Sequence, residues 1–268
     1  MKRMRILMYN QVDHYPIEAM EDGLHPESQI EQLDYLMKHG FHIVSLDQAL
    51  SYMEGKEKLP ENSLAITIDG GYADAYSQVL PILERYSIKA AFFIAPGLIN
   101  GSRVIKGHSL PCMSWGQVRS LVDKGMTIGH YGCNGRAFQK VPREIVEEDI
   151  VHSKPLFEKY LNIQPTYYAV FEGTPEPKTV ELLKEHGYKA MLTKSPTKQR
   201  LSLYSISRIQ VDDDDLNIFL VKISKTFLRF KDSRYWKCIR KYRLDMAFHH
   251  LSKFYNKFKS GRVSSETS

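Results

Sequence analysis

The chain has 268 residues, of which 43% are hydrophobic and 25% charged, a composition typical of a soluble globular protein with one large domain. No stretch reaches the roughly 20 consecutive apolar residues of a membrane-spanning helix. The three cysteines, Cys112, Cys133 and Cys238, form no disulfide pattern. The apolar run at 6–9 is too short for a secretory signal and fits a first strand, and an odd number of cysteines suggests reduced thiols, so we expect a cytoplasmic location.

The formal net charge of +6 is unevenly distributed along the chain. Residues 222–262 contain thirteen lysines and arginines but two aspartates, whereas acidic residues outnumber basic ones in residues 1–221. This asymmetry predicts a main domain at 1–221 and a basic amphipathic helical extension and tail at 222–268.

Apolar runs alternate with segments of helical periodicity along the main domain. The predicted strands are 5–12, 41–45, 64–69, 90–95, 126–130, 166–171, 188–193 and 204–211. The predicted helices are 26–39, 47–53, 74–86, 114–124, 143–161 and 177–186. This alternation indicates an α/β fold, either a barrel or a doubly wound sheet, with functional groups at the carboxyl ends of the strands.

One segment of the main domain carries a recognisable signature. Residues 63–72, Ser-Leu-Ala-Ile-Thr-Ile-Asp-Gly-Gly-Tyr, resemble Thr-Phe-Asp-Asp-Gly-Tyr, the first signature of the polysaccharide deacetylase (NodB-homology) family. Further segments resemble family elements in the same order: 6–10, 40–47, 79–86, 90–94, 113–118, 179–190 and 208–211. The resemblance covers residues 5–211 and implies a distorted (β/α) barrel with its site at the strand ends.

The family resemblance also implies a reaction. A metal-dependent deacetylase uses a bound divalent ion to polarise an amide carbonyl and to generate hydroxide, while a carboxylate accepts the proton of the water. In the family, the first aspartate of the signature is the base and the second is a metal ligand. Here the first matches Asp69, but the second matches Gly70, which has no side chain to coordinate an ion.

The second signature, His-(Ser/Thr)-x-x-His, supplies the other two ligands in the family. An alignment on the preceding Ile-Gly pair places Tyr131 and Gly135 at the ligand positions. A shift by one residue places His130 and Asn134 there instead. We therefore expect no metal cofactor, with an unusually or weakly bound divalent ion such as zinc as the alternative.

Three residues are candidates for acid–base chemistry: Asp69, His130 and Glu172, which replaces an aromatic residue of the third signature and could face Asp69 across the barrel mouth. Each has a structural alternative. Asp69 could form a turn, His130 could be a hydrogen-bonded histidine at a strand end, and Glu172 could be solvated or paired with Arg208.

Substrate contacts are expected from Asn10, Tyr131 and Arg208, where Asn10 replaces a histidine of the family's opening strand. The aspartate run at 212–215 lacks the alternate spacing of a calcium loop and indicates a turn and helix cap.

The basic extension has apolar and aromatic residues at helical spacing, with lysines beside them. It could pack on the barrel with its lysines exposed, or lie on an anionic membrane surface. Nucleic-acid binding has no supporting motif.

Two functions are consistent with these features. The first is a deacetylase-like protein of surface-polysaccharide metabolism that lacks the usual metal-dependent activity. It would bind a carbohydrate, a lipid-linked glycan or a partner protein, in the cytoplasm or peripherally at the inner membrane face. The second is an active carbohydrate N-deacetylase, a hydrolase of non-peptide C–N bonds, with a rearranged site around Asp69, His130 and Glu172.

Overall fold

The structure is a computed structural model that describes residues 1–15, 23–134, 143–170, 176–194, 202–212 and 215–224. The strands are β1 Arg5–Tyr9, β2 His42–Val44, β3 Ser63–Asp69, β4 Ala91–Ile94, β5 Ser102–Ile105, β6 His108–Pro111, β7 Thr127–His130, β8 Tyr167–Val170, β9 Ala190–Thr193, β10 Ile206–Ser207 and β11 Ile209–Gln210. The helices are α1 Pro26–Lys38, α2 Leu46–Glu54, α3 Leu80–Arg85, α4 Trp115–Asp123, α5 Arg143–Leu161, α6 Pro177–Glu185 and α7 Leu216–Ile223, with a π-helical turn at Ala75–Val79 and a 3₁₀ turn at Pro96–Leu98.

The main sheet is parallel and has the order β10-β9-β8-β7-β4-β3-β1-β11, with β2 also paired to β3. One short segment, 206–210, belongs to both ends of this sheet. Its first half pairs with β9 through Ile206 and Ser207, and its second half pairs with β1 through Ile209 and Gln210. The segment therefore nearly closes the sheet into a barrel, and the predicted distorted (β/α) barrel is confirmed.

Successive residues of each strand point to opposite faces of the barrel wall. One face supplies a buried interior cluster that includes Ile6, Ala65, Ala91, Phe93, Tyr131, Ala169 and Leu192. The other face packs under the helices, where Tyr168 and Met191 meet side chains of α5 and α6. Helix α2 contributes four apolar side chains to the interior cluster, and its Asp47 accepts a hydrogen bond from the Tyr167 hydroxyl at the start of β8.

Local sequence explains where several helices begin. Ser45 and Ser114 form capping boxes with Gln48 and Gln117, which satisfy backbone N–H groups at the starts of α2 and α4. Asp215, the last residue of the acidic run, accepts from the N–H of Asn217 at 2.7 Å at the start of α7. The predicted cap in this run is therefore confirmed, although the short helix behind it was not predicted.

The sequence prediction found all the strands of the barrel but missed the β5–β6 hairpin. Its residues are mostly exposed, so they give no continuous apolar run. Lys106 and Gly107 both have positive φ angles, +48° and +86°, as a two-residue hairpin turn requires. A Lys-Gly pair is a weaker sequence signal for this turn than Asn-Gly or Asp-Gly.

The chain divides into two compact units, Met1–Phe219 and Leu220–Ser268. Beyond residue 224 the second unit lies outside the described residues, and with it the predicted basic helix. Within the described part of the chain, no helix has the length and apolarity needed to cross a membrane.

Candidate functional site

The polar centre of the barrel is an ion pair between Asp69 and Arg208. Arg208 Nη1 donates to Asp69 Oδ1 and Nη2 donates to Oδ2, both at 2.6 Å. The two side chains are almost completely buried, with 1% of Arg208 and 2% of Asp69 exposed. This two-pronged geometry is the strongest form of a carboxylate–guanidinium contact.

Strand positions explain how these distant residues meet. Asp69 is the last residue of β3, and Arg208 lies between β10 and β11, where its N–H donates to the Thr193 carbonyl at 3.0 Å. Thr67, on the same face of β3 as Asp69, accepts from Arg208 Nη1 at 3.2 Å and donates to the Leu7 carbonyl at 2.8 Å. These hydrogen bonds connect the ion pair to β1, to β3 and to segment 206–210.

Burial dominates the electrostatics of this pair. It raises the pKa of the Asp69 carboxyl, while the charges of Arg208 and Lys194 act in the opposite direction. Phe93 lies beside the guanidinium, with its ring centre 5.4 Å from Arg208 Cζ. Because removal of one partner would leave an uncompensated buried charge, we expect either single loss to cost about 3–5 kcal/mol of folding free energy.

Tyr131 belongs to the same interior. It follows β7, its N–H donates to the Ile94 carbonyl at 2.9 Å, and its ring joins the interior cluster. Burial raises the pKa of its hydroxyl well above the ordinary value. The Asp69 charge raises this pKa further, whereas the Arg208 charge lowers it. Tyr131 therefore remains a neutral phenol that can donate a hydrogen bond.

Gly70 has a backbone conformation that a side chain would not readily adopt. Its φ is +97°, and a Cβ atom there would lie 2.8 Å from Tyr72 Cδ2 and 3.2 Å from Asn10 Oδ1. Tyr72 is buried and packs with Ile105 and Leu110 of the hairpin. Asn10, predicted to contact substrate, is therefore a neighbour of Gly70 at the carboxyl ends of the strands.

His130 faces the opposite side of the wall. Its Nδ1 lies 2.6 Å from the Tyr188 hydroxyl, and its ring packs edge-on against Phe157 of α5 and Tyr168 of β8. The structure thus places His130 in the strand–helix layer and does not bring it together with Asp69.

Burial lowers the pKa of His130 to about 3, and the charge of Lys154 adds to the shift. His130 Nε2 is 3.8 Å from a carboxylate oxygen of Asp149, which is within reach of an ion pair only if the ring is protonated. Because the low pKa keeps the ring neutral near pH 7, we interpret this contact as a neutral one. Asp149 has another role, since it accepts from the Cys133 N–H at 2.6 Å and holds the loop after β7.

The other predicted residues have different outcomes. Glu172 and Gly135 lie outside the described residues. Asn134 is exposed at the end of the same loop as Cys133. The sequence prediction missed Thr67 and Lys194. Thr67 stands two residues before Asp69, so the period of a strand could have assigned it to the same face.

Comparison with known proteins agrees with this architecture. The sequence profile described as "Polysaccharide deacetylase" matches residues 56–191, half of the chain. The chain belongs to the polysaccharide deacetylase family.

Individual members of the family are distant from it. The chain is 24% identical over 217 residues to YxkH of Bacillus subtilis, whose name also places it among the polysaccharide deacetylases, and the match covers 78% of this chain and 71% of YxkH. It is 29% identical over 133 residues to the peptidoglycan-N-acetylglucosamine deacetylase of Bacillus cereus, covering 49% and 56% of the two chains. The structure of IcaB from Ammonifex degensii is similar in fold, with a TM-score of 0.69, 22% identity, and coverage of 79% and 92%.

The family implies a divalent metal, and the described residues do not fit one. Gly70 and Tyr131 stand where the family resemblance expects ligands, and both Asp69 oxygens accept from Arg208. In the described ranges, no group of three His, Cys, Asp or Glu side chains is arranged to hold a metal ion.

Restoring an aspartate at position 70 should not restore the metal site. We expect Gly70→Asp and Gly70→Ala each to lower the free energy of unfolding by at least about 2 kcal/mol, because positive φ and the contact with Tyr72 both oppose a side chain. Gly40→Ala is the matched control, since Gly40 has φ +71° but nothing within 4 Å of an added Cβ. Denaturant unfolding and metal analysis measure the effects; a stable Gly70→Asp variant with one tightly bound zinc ion would contradict the prediction.

The buried His130 should make stability depend on pH. An unfolded histidine binds a proton below about pH 6.5, whereas folded His130 does so near pH 3, so the unfolded state binds more protons in between. The free energy of unfolding should therefore fall as pH falls from 6.5 towards 3, with His130 contributing up to about 1.4 kcal/mol per pH unit. Denaturant titrations at several pH values give the free energy of unfolding of wild type and of His130→Gln. Plotted against pH, the two sets should have different slopes below pH 6.5, and parallel plots would refute the effect. At pH 8 the difference between the two free energies measures the lost packing alone.

Proposed function

We propose that this family member binds a glycan at the barrel mouth and lacks the usual metal-dependent hydrolysis. The observation that carries the proposal is the backbone at Gly70. At the position of an expected ligand, φ is +97° and the Tyr72 ring lies where a side chain would begin. The loss of the ligand is therefore part of the local backbone structure and does not depend on one side chain alone.

The chemistry of amide hydrolysis supports the same proposal. The reaction needs a centre that polarises the carbonyl and activates water near neutral pH. The nearest described cation, Arg208, directs its Nη1 and Nη2 donors to Asp69. The polar groups of the mouth, Asn10, Tyr131 and the ion pair, suit hydrogen bonding to sugar hydroxyl and acyl groups.

The relatives suggest the ligand class. The Bacillus cereus relative is named for N-acetylglucosamine in peptidoglycan. We therefore propose an N-acetylated hexosamine polymer of the cell surface, or its lipid-linked precursor, as the ligand.

Metal content and acetate release test this function directly. Purified full-length protein is expected to hold far less than one equivalent of zinc, cobalt or nickel and to release no acetate from N-acetylglucosamine oligosaccharides, while calorimetry detects their binding. The Bacillus cereus deacetylase, assayed in parallel, is the positive control. Stoichiometric metal together with acetate release would instead support an active carbohydrate N-deacetylase with a rearranged site.

We further propose that the basic extension 222–268 holds the protein at the inner face of the membrane, where lipid-linked glycans are assembled. Its combination of basic and aromatic residues supports this location.

Vesicle sedimentation tests the membrane proposal. Replacement of Lys253, Lys257 and Lys259 by Gln should weaken binding of the full chain to phosphatidylglycerol vesicles at least tenfold, because each lysine contributes about 1 kcal/mol near an anionic surface. The matched control replaces Lys38, Lys56 and Lys58, three exposed lysines of the main domain, and removes the same charge. Equal binding by both triple variants would refute a specific role for the extension.

A further inference from the structure

Asp74 has a buried side chain with an unusual hydrogen-bond partner. It stands directly before the π-helical turn at Ala75–Val79, a position where an aspartate usually caps the first turn, but its side chain makes no such bond. Instead, Oδ2 accepts from the N–H of Val12, 62 residues away, at 2.6 Å. Asp74 is 1% exposed, and its other oxygen, Oδ1, is buried without a hydrogen-bond partner among the described residues. The carboxyl group therefore joins two distant parts of the chain.

This contact lies beside the barrel mouth. Val12 follows β1 and pairs with Leu24 in an isolated bridge, whereas Asp74 follows β3. The contact thus connects the residues after β1, which include Asn10, with the residues after β3, which include Gly70. Any change at the Asp74 carboxyl group acts directly on how these two segments are held together.

The surroundings of Asp74 oppose a negative charge. Burial raises the pKa of its carboxyl to about 7, and the charge of Asp13 raises it as well, whereas nearby backbone N–H groups lower it. Tyr15 and Cys112 also interact with Asp74: burial raises the pKa of each of them, and the Asp74 charge raises it further. Arg103 acts on Cys112 in the opposite direction. A proton on Asp74 therefore removes a buried charge that faces a charge of the same sign.

We propose that the contact between Asp74 and Val12 is proton-dependent, and that loss of the Asp74 proton favours local separation of the residues after β1 from those after β3. When the two segments separate, water solvates the carboxyl group, and its pKa returns towards the ordinary value of about 4. Between this value and about 7 the joined state binds more protons than the separated state, so a rise in pH favours separation by up to about tenfold per pH unit. Above pH 7 both states are ionised and the dependence levels off. The sign is opposite to that expected for His130, whose burial opposes protonation.

Hydrogen exchange measured by NMR on the full chain tests the proposal. The protection factor of the Val12 N–H, which corrects for the intrinsic pH dependence of exchange, should fall at least about tenfold between pH 5 and pH 7 in wild type and then level off. Asp74→Asn keeps the shape of the side chain but cannot ionise, so the same protection factor should not change over this range. Asp123→Asn is the matched control, because it removes the same charge from an exposed position on α4 and should retain the wild-type dependence.

A direct titration gives a second measurement that needs no variant. The ¹³C signal of the Asp74 carboxyl carbon should titrate with a pKa of about 7. If this signal titrates near the ordinary aspartate value, or if Val12 exchange has the same pH dependence in wild type and Asp74→Asn, the inference is overturned. Both measurements are made without a sugar, so their result does not depend on the proposed glycan binding.

Discussion

The contact between Asp69 and Arg208 joins the chemistry of this protein to its architecture. Arg208 lies in the five-residue segment that pairs with β9 on one side and β1 on the other. The ion pair therefore lies where the two ends of the sheet meet. Without that closure, β3 would end on a buried carboxylate with no counter-charge, which is costly in a low-dielectric interior. In the closed barrel, the guanidinium balances the charge of this carboxylate.

The two faces of β7 divide the remaining polar residues between separate environments. Tyr131 belongs to the interior and shares it with the ion pair, while His130 belongs to a layer with Tyr188, Phe157 and Asp149. The same layer also fixes the loop that follows Tyr131, because Asp149 accepts a hydrogen bond from the Cys133 N–H. His130 and its neighbours therefore support the mouth from outside the barrel.

These relations explain what the sequence could and could not predict. The eight predicted strands cover the whole main sheet, with β10 and β11 in one of them, because buried parallel strands appear as continuous apolar runs. The same continuity conceals which residues face inward, so the second signature could be aligned in two ways that differ by one residue and by the face of the strand. The pairing of Arg208 with Asp69 joins residues 139 positions apart and depends on closure, so no local pattern contains it. The sequence could have predicted that Thr67 faces the interior, because Thr67 lies two residues before Asp69 on the same strand.

The nature of the cation distinguishes this barrel from one built around a metal ion. A bound ion can dissociate, and its affinity depends on pH and on metal supply. The guanidinium of Arg208 is part of the chain and cannot dissociate from it. Its two-pronged contact with Asp69 also fixes the orientation of the carboxylate. The ion pair is therefore a permanent part of the barrel interior.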